Sequence, residues 1–330
     1  ESPTAVFVGI MKYHGVKVDK ALMYEKQFEA EEKINEIRKK IHKFTGTEID
    51  LGANASTDAF KKYLYEDLKL PVMKTTAKYQ AAADDESLIL LKDWCEKNKP
   101  EILPFLKLIL DYRKWNKIKS TYIDGFLNTV SSATGCIHTS FFQLGTDTGR
   151  FASRNPNLQN MPRKDNDPIG IRNFLIPNEG HIFIDFDFSQ IELRVGSWYC
   201  RDTKMLETYR NDGDIHAQTT SVIYNIPFDE AIDKNAPHYK ERRSIAKNCN
   251  FGVFYGLFPN GLMRNLKKAG IEKTKQECTD IIENLKNGYP KLAEWQKNTK
   301  QDASNCGYSE TAFGRRRILK GIHSPDMGTR

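Results

Sequence analysis

HIFIDFDFSQIELR, residues 181–194, carries the alternation that decides the fold class. From His181 to Phe188, Ile182, Ile184, Phe186 and Phe188 fall on one side of an extended chain, with Phe183, Asp185 and Asp187 on the other. Period-two patterning of this kind predicts a β-strand, here one whose second face carries two carboxylates. A mainly helical region follows from residue 189 to about 300, so the chain reads as α/β. An acid at the end of an apolar strand can hold a hard cation, because magnesium takes oxygen ligands, commonly one or two carboxylates together with substrate phosphates. Taken alone, the stretch favours the plainer reading of two solvent-facing acids on an edge strand.

Further along lies YKERRSIAKNCNFGVFYG, residues 239–256, in which Arg243, Lys247, Phe251 and Tyr255 recur every fourth position. On a helix these four line one slowly drifting stripe. Two cations followed by two rings suit a triphosphate and then a base, since the cations neutralise phosphate oxygens and the rings stack. An amphipathic helix with buried aromatics and solvated cations does not explain why both kinds share a face. Two segments between these stretches and upstream of them are weaker alone: GDIHAQTT (213–220), where His216 follows an acid at a helix start, and TGRFASRNPNLQNMP (148–162), whose amides and arginines can donate to sugar, phosphate or minor-groove acceptors.

Towards the N-terminus, Asp19 is placed to cap a long helix to about Phe44 with Leu22, Phe28, Ile34, Ile37 and Ile41 on its apolar face. Residues 53–90 read as a polar, basic tip around a short helix, with Lys61, Lys62, Lys69, Lys74 and Lys78 exposed. A second helical stretch, from about Asp85 to Val130, brings Arg113, Lys114, Lys117 and Lys119 together. A solvated face is the plainer reading of that cluster. Short strands and turns are expected from Gly135, and a final strand or hairpin from Gly307 to Leu319. The 330 residues carry 50 basic and 43 acidic side chains, a net +7 that is compatible with a polyanionic partner without requiring one. Six dispersed cysteines with no CxxC pair signal neither a zinc site nor a disulfide framework and fit a reducing interior. No apolar run reaches the ~20 residues of a membrane span and the first residues lack a signal-peptide layout, so a soluble, cytoplasmic protein is expected.

Taken in order, IKSTYID (118–124), TGRFASRNPNLQNMP, DFSQIELR (187–194), GDIH (213–216), RSIAKNCNFGVFYG (243–256) and GYSETAFGRRR (307–317) resemble the motifs of the family A DNA polymerases. The blocks span nearly the whole chain, and their shared order is what single motifs lack. The resemblance implies a right-hand α/β architecture: a helical thumb (1–130), the N-terminal part of an antiparallel palm sheet (131–205) and helical fingers (206–330). It implies a DNA-directed DNA polymerase that uses two magnesium ions, primer–template DNA and deoxynucleoside triphosphates. Asp187 would hold the metals with the backbone carbonyl of Phe188, which replaces the family's usual tyrosine. Glu192 matches the steric gate beneath the sugar, and Gln190 lies near the nucleotide. Arg243, Lys247 and His216 would bind the triphosphate, Phe251 would pack on sugar and base, and Tyr255 would occupy the template-base position. Phenylalanine at 251 implies discrimination against dideoxynucleotides. Arg150, Asn157 and Asn160 match minor-groove contacts, and Lys117, Lys119 and Ser120 match thumb contacts along the duplex.

The resemblance also carries departures. The chain stops soon after GRRR, where the family continues to a His-Asp-Glu hairpin bearing a second metal-binding aspartate, and it begins almost at the thumb, with no proofreading domain before it. The expectation is therefore a weak or inactive polymerase when isolated, a fragment or one half of a split enzyme whose remaining palm comes from elsewhere. A single-subunit RNA polymerase shares the arginine, lysine and tyrosine spacing, but Glu192 and Phe251 argue against it. A non-catalytic primer–template-binding fragment is the other reading.

Overall fold

Asp19 begins the longest helix as its sequence requires: its Oδ1 accepts from the Leu22 amide at 3.0 Å, and Lys20–Thr45 follows. Gly46, at φ 69°, ends it in the left-handed conformation that glycine adopts without a Cβ clash, its amide donating to the His42 carbonyl at 2.9 Å. The structure is a computed structural model that describes residues 2–76, 78–253 and 256–324. It divides into two units, Glu1–Ile184 and Asp185–Arg330.

In the first unit the long helix buries Met23, Ala30, Ile34, Ile37 and Ile41. Phe28, expected on that face, is 64% exposed. It lies two residues before Ala30, about 200° round the helix at about 100° per residue, so the 3.6-residue period turns it to solvent. Ile34, Ile37 and Ile41 pack with Leu88, Leu91 and Cys95 of the helix Asp85–Asn98 and with Phe105, Leu106, Ile109 and Tyr112 of the helix Leu103–Lys117. These two helices replace the single stretch expected from Asp85 to Val130. Lys99 precedes Pro100, and the proline ring disfavours helical backbone at the residue before it, so a 3-10 turn, Pro100–Ile102, intervenes. Beyond Lys117 the backbone widens into a π-helical segment, Ile118–Asp124, whose Ile118, Tyr122 and Ile123 are buried in a second core with Met23, Ala30, Ile137, Ile171 and Phe174.

The strands are short and antiparallel: Val16–Lys17 with Cys136–Ile137, Ser140–Phe142 with Ala152–Arg154, and Tyr308–Glu310 with Arg316–Ile318. The last pair is the hairpin expected between Gly307 and Leu319. The strand expected at 181–188 does not form. Its alternation is intact, but a strand exists only through a paired neighbour, and no described segment pairs with it. Ile182, Ile184, Phe186 and Phe188 are accordingly 66% to 89% exposed. Few, short, antiparallel strands among many helices agree with the α/β class expected from the sequence.

The second unit is helical from Ile191 to Cys306. Its core gathers Leu193, Met205, Ile215, Ile223, Ile245, Cys249, Leu262, Cys278, Leu285 and Tyr289. Of these, Ile245 and Cys249, with Ala246, form the inner face of the helix Tyr239–Val253. That assignment turns the side chains at 243, 247 and 251 away from the core. Among the described residues no helix is long and apolar enough to cross a membrane.

Candidate nucleotide site

On the helix Tyr239–Val253, Lys247 is exposed, Arg243 half-buried and Phe251 46% exposed. The cations and the ring therefore share the outer face, as their spacing predicts; Tyr255 lies outside the described residues. The helix Ile215–Tyr224 packs alongside and contributes His216, whose ring centroid lies 6.3 Å from that of Phe251. Arg243 reaches across to the same helix, its Nη1 2.6 Å from Asp214 Oδ2.

Asp214 performs two tasks. Its Oδ1 accepts from the amides of His216 (2.9 Å) and Ala217 (3.3 Å) and so caps the helix, while its other oxygen holds Arg243. Burial pushes its carboxyl up, but the Arg243 guanidinium and the two amides outweigh burial and leave it below the usual carboxylate range. His216 is buried, and desolvation pushes its imidazole below its ordinary value, aided by the charges of Arg243 and Lys247 and opposed by Asp214. It is therefore mainly neutral at pH 7. Its Nδ1 lies 2.9 Å from Nδ2 of Asn250, a buried amide on the inner side of the facing helix.

A second cluster holds the entry to the helix Ile191–Cys200. Gln190, at φ 53°, takes the left-handed conformation there, and its Oε1 accepts from the Tyr209 hydroxyl at 3.1 Å. Arg194 stacks its guanidinium 4.5 Å from the Tyr209 ring centroid and donates through Nε to the Ser189 carbonyl at 3.0 Å. Glu192 sits exposed in the first turn, where a carboxylate complements the helix dipole. Asp187 and Phe188 lie in the exposed, unpaired stretch just before. One carboxylate followed by a main-chain carbonyl is an oxygen donor set of the type magnesium accepts, with phosphates and water completing the shell. No group of three or more His, Cys, Asp or Glu arranged for a metal ion occurs among the described residues.

The positions expected to touch a duplex lie in the first unit. Lys117 is exposed on a groove of about 840 Å³ also lined by Lys61, Lys74, Arg113 and Lys114. Lys119 is already held between Asp124 (2.8 Å) and Glu31 (3.2 Å), and these partners, led by the Asp124 hydrogen bond, raise its ammonium above the ordinary lysine value. Ser120 and Arg150 are exposed. Asn157 Oδ1 accepts from Ser153 Oγ (2.9 Å) and the Gln159 amide (3.1 Å), and the Asn160 carbonyl accepts from Tyr122 (2.7 Å). Arg113, grouped with this cluster by sequence, instead braces loops: Nη1 pairs with Asp85 at 2.7 Å and Nη2 donates to the carbonyls of Ala55 and Ala83. Lys74 is likewise paired, with Asp84 and Glu86 at 2.8 and 2.7 Å.

Sequence reasoning missed Asp214 and Asn250 as site residues. Asp214 was signalled by its place before the first turn of a helix. Asn250 carried no signal, since its partner is contributed by another helix.

A sequence model of DNA polymerase family A matches residues 20–330. The chain is 36% identical to DNA polymerase I of Caldicellulosiruptor bescii over 330 residues, covering all of this chain and 36% of that protein. Against the thermostable DNA polymerase I of Thermus aquaticus it is 32% identical over 332 residues, again covering all of this chain and 36% of the relative. Among solved structures, the POL domain of Pol1 from M. smegmatis, in complex with DNA primer-template and dNTP, superposes with a TM-score of 0.79 at 28% identity, over 98% of this chain and 53% of that one. The chain thus spans about a third of the length of these curated relatives.

Proposed function

The chain belongs to DNA polymerase family A, and from that premise we propose that it carries the nucleotide-binding machinery of template-directed DNA synthesis. The reaction joins a deoxynucleoside triphosphate to a primer 3′-hydroxyl: a new P–O bond forms at the α-phosphorus, the α–β bridge breaks, and pyrophosphate leaves. The observation that carries this reading is the outer face of the helix Tyr239–Val253, where Arg243, Lys247 and Phe251 stand beside His216.

Arg243 and Lys247 hold the triphosphate by charge-assisted hydrogen bonds, His216 adds a neutral donor, and Phe251 packs on sugar and base. Tyr255 takes the template-base position. Glu192 blocks a 2′-hydroxyl beneath the sugar, and Gln190, held by Tyr209, flanks the nucleotide. Asp187 and the carbonyl of Phe188 would hold two magnesium ions. Magnesium bound there supplies Lewis-acid activation of the 3′-hydroxyl and neutralises the leaving pyrophosphate. The thumb is residues 1–130, the palm segment 131–205 and the fingers 206–330. Lys117, Lys119, Ser120, Arg150, Asn157 and Asn160 contact primer–template DNA through phosphate and minor groove, which positions a duplex without reading its sequence.

The isolated chain is weak or inactive in extension. Two features support this: a single carboxylate, Asp187, stands in for a site that needs two well-held metals, and the apolar side chains of 182–188 are exposed without a pairing strand among the described residues. A further palm segment, in the same polypeptide or a separate one, completes the sheet and the metal site. Primer extension with magnesium and deoxynucleotides, run beside Asp187→Ala and beside gel binding of the same primer–template, tests the reading. Binding without extension is expected. Robust extension by the isolated chain that Asp187→Ala leaves intact would remove Asp187 from the metal site, and absence of binding would refute the polymerase assignment of the groove.

A further inference from the structure

Behind His216 lies a line of buried polar side chains that the nucleotide contacts do not use. Asn250 Nδ2 lies 2.9 Å from His216 Nδ1, Thr219 Oγ1 donates to Asn250 Oδ1 at 2.8 Å, and Tyr289 Oη lies 3.0 Å from Thr219 Oγ1. Thr219 is fully buried, Tyr289 is 1% exposed and Asn250 3%. Bulk solvent does not reach these groups, so the protons in this line look for acceptors within the protein.

The direction of the chain follows from counting donors. Thr219 has one hydroxyl proton and Tyr289 has one. If Tyr289 donates to Thr219, Thr219 is free to donate to the Asn250 carbonyl, and the Asn250 amide then donates to His216 Nδ1. Every link is satisfied. Reversing it sends the Asn250 amide to Thr219 and the Thr219 proton to Tyr289. The Tyr289 proton is then left without an acceptor among the described residues, in a site with almost no solvent. The first direction makes His216 Nδ1 an acceptor, which places the ring proton on Nε2.

Resting on the nucleotide-binding reading above, we infer that Tyr289, Thr219 and Asn250 are positioning residues that hold His216 as its neutral Nε2–H tautomer, so that this ring gives the triphosphate a hydrogen-bond donor without charge. The division of labour at the site is then chemical. Arg243 and Lys247 supply positive charge. His216 supplies direction, because a ring pinned at Nδ1 has one remaining donor along one line. Burial does most to hold the imidazole neutral, and the charged groups facing it, Asp214 at the start of its own helix and Arg243 and Lys247 on the facing one, modulate that. The cations oppose a third positive charge.

Nitrogen-15 histidine labelling of the chain, with long-range proton–nitrogen correlation, reads the tautomer directly, and His216→Gln identifies the signal among the seven histidines. An unprotonated Nδ1 and a protonated Nε2 are expected, whereas an Nδ1–H signal overturns the inference. Asn250→Asp replaces the donor by an accepting carboxylate, so the ring should turn to Nδ1–H and its titration midpoint should rise by about one to three pH units. A midpoint that does not move counts against the inference. Tyr289→Phe, the second variant if Asn250→Asp fails to fold, lets the amide reverse and should give a mixture of tautomers; a pure Nε2–H signal there removes Tyr289 from the chain. Titration with deoxyadenosine triphosphate and magnesium separates the two levels of argument. Shifts at Arg243, Lys247 and His216 Nε2–H support both. Shifts at the two cations that spare His216 overturn this inference alone, and no shift at any of the three overturns the nucleotide-binding reading with it.

Discussion

Replacing Asp214 separates two stabilising contributions that one carboxylate makes. As a helix cap, its Oδ1 accepts from the amides of His216 and Ala217 at 2.9 and 3.3 Å, and losing such a cap costs about 0.5–2 kcal/mol. As an ion-pair partner, its Oδ2 lies 2.6 Å from Arg243, with the two side chains 34% and 35% exposed. Solvent screening at that exposure limits the pair to about 0.2–1 kcal/mol. Asp214→Ala should therefore lose about 1–3 kcal/mol. Asp214→Asn keeps an acceptor at the cap and loses only the charge, so its loss should stay below about 1 kcal/mol. Urea unfolding at pH 7 measures both. The sign with pH follows from linkage: the folded carboxyl sits below its ordinary value of 3.8, so the unfolded chain takes up the proton first as the solution is acidified. The advantage of the native aspartate over the asparagine variant is then fully present above that value and closes as pH falls towards the folded one. Equal losses for the two variants would refute the cap, and a gap unchanged between pH 7 and pH 3 would refute the pairing with Arg243.

Three further outcomes are expected. His216 has a folded value below 6.5, so protonation favours the unfolded chain and stability declines as pH falls through 6.5; His216→Gln should flatten that decline between pH 7 and 5 in thermal melts. Phe186→Ser, at a side chain 89% exposed, should change unfolding free energy by no more than about 0.5 kcal/mol while reducing self-association in light scattering, and a larger loss would mean that this stretch packs on something. Primer–template affinity should fall linearly on a log–log plot against salt, and Lys117→Ala should make the slope shallower by about one; a slope unchanged by the substitution would take Lys117 out of the phosphate contacts.

What local chemistry controls was legible in the residues. Asp19 followed by a 3.6-residue apolar period specifies a capped helix whatever surrounds it, and the strand or hairpin expected from Gly307 to Leu319 pairs segments that are close neighbours in the chain. The fourfold spacing of Arg243, Lys247 and Phe251 puts them on one helical face by geometry alone, and the order of six motifs carries the family. Other features depend on which segments meet. The alternation at 181–188 is a strand pattern, yet pairing is non-local and no described strand lies against it. Phe28 turns to solvent because a helix face is chosen by its partner helices, not by hydrophobicity residue by residue. Lys119 and Arg113 looked like free cations until folding brought Asp124, Glu31 and Asp85 to them. Most of all, the half-exposed Asp214–Arg243 pair and the buried line from Tyr289 to His216 join side chains of separate helices. Sequence supplies their donors and acceptors, but only tertiary packing brings the partners together, and along the buried line it also shuts out the bulk water that would otherwise satisfy each group separately.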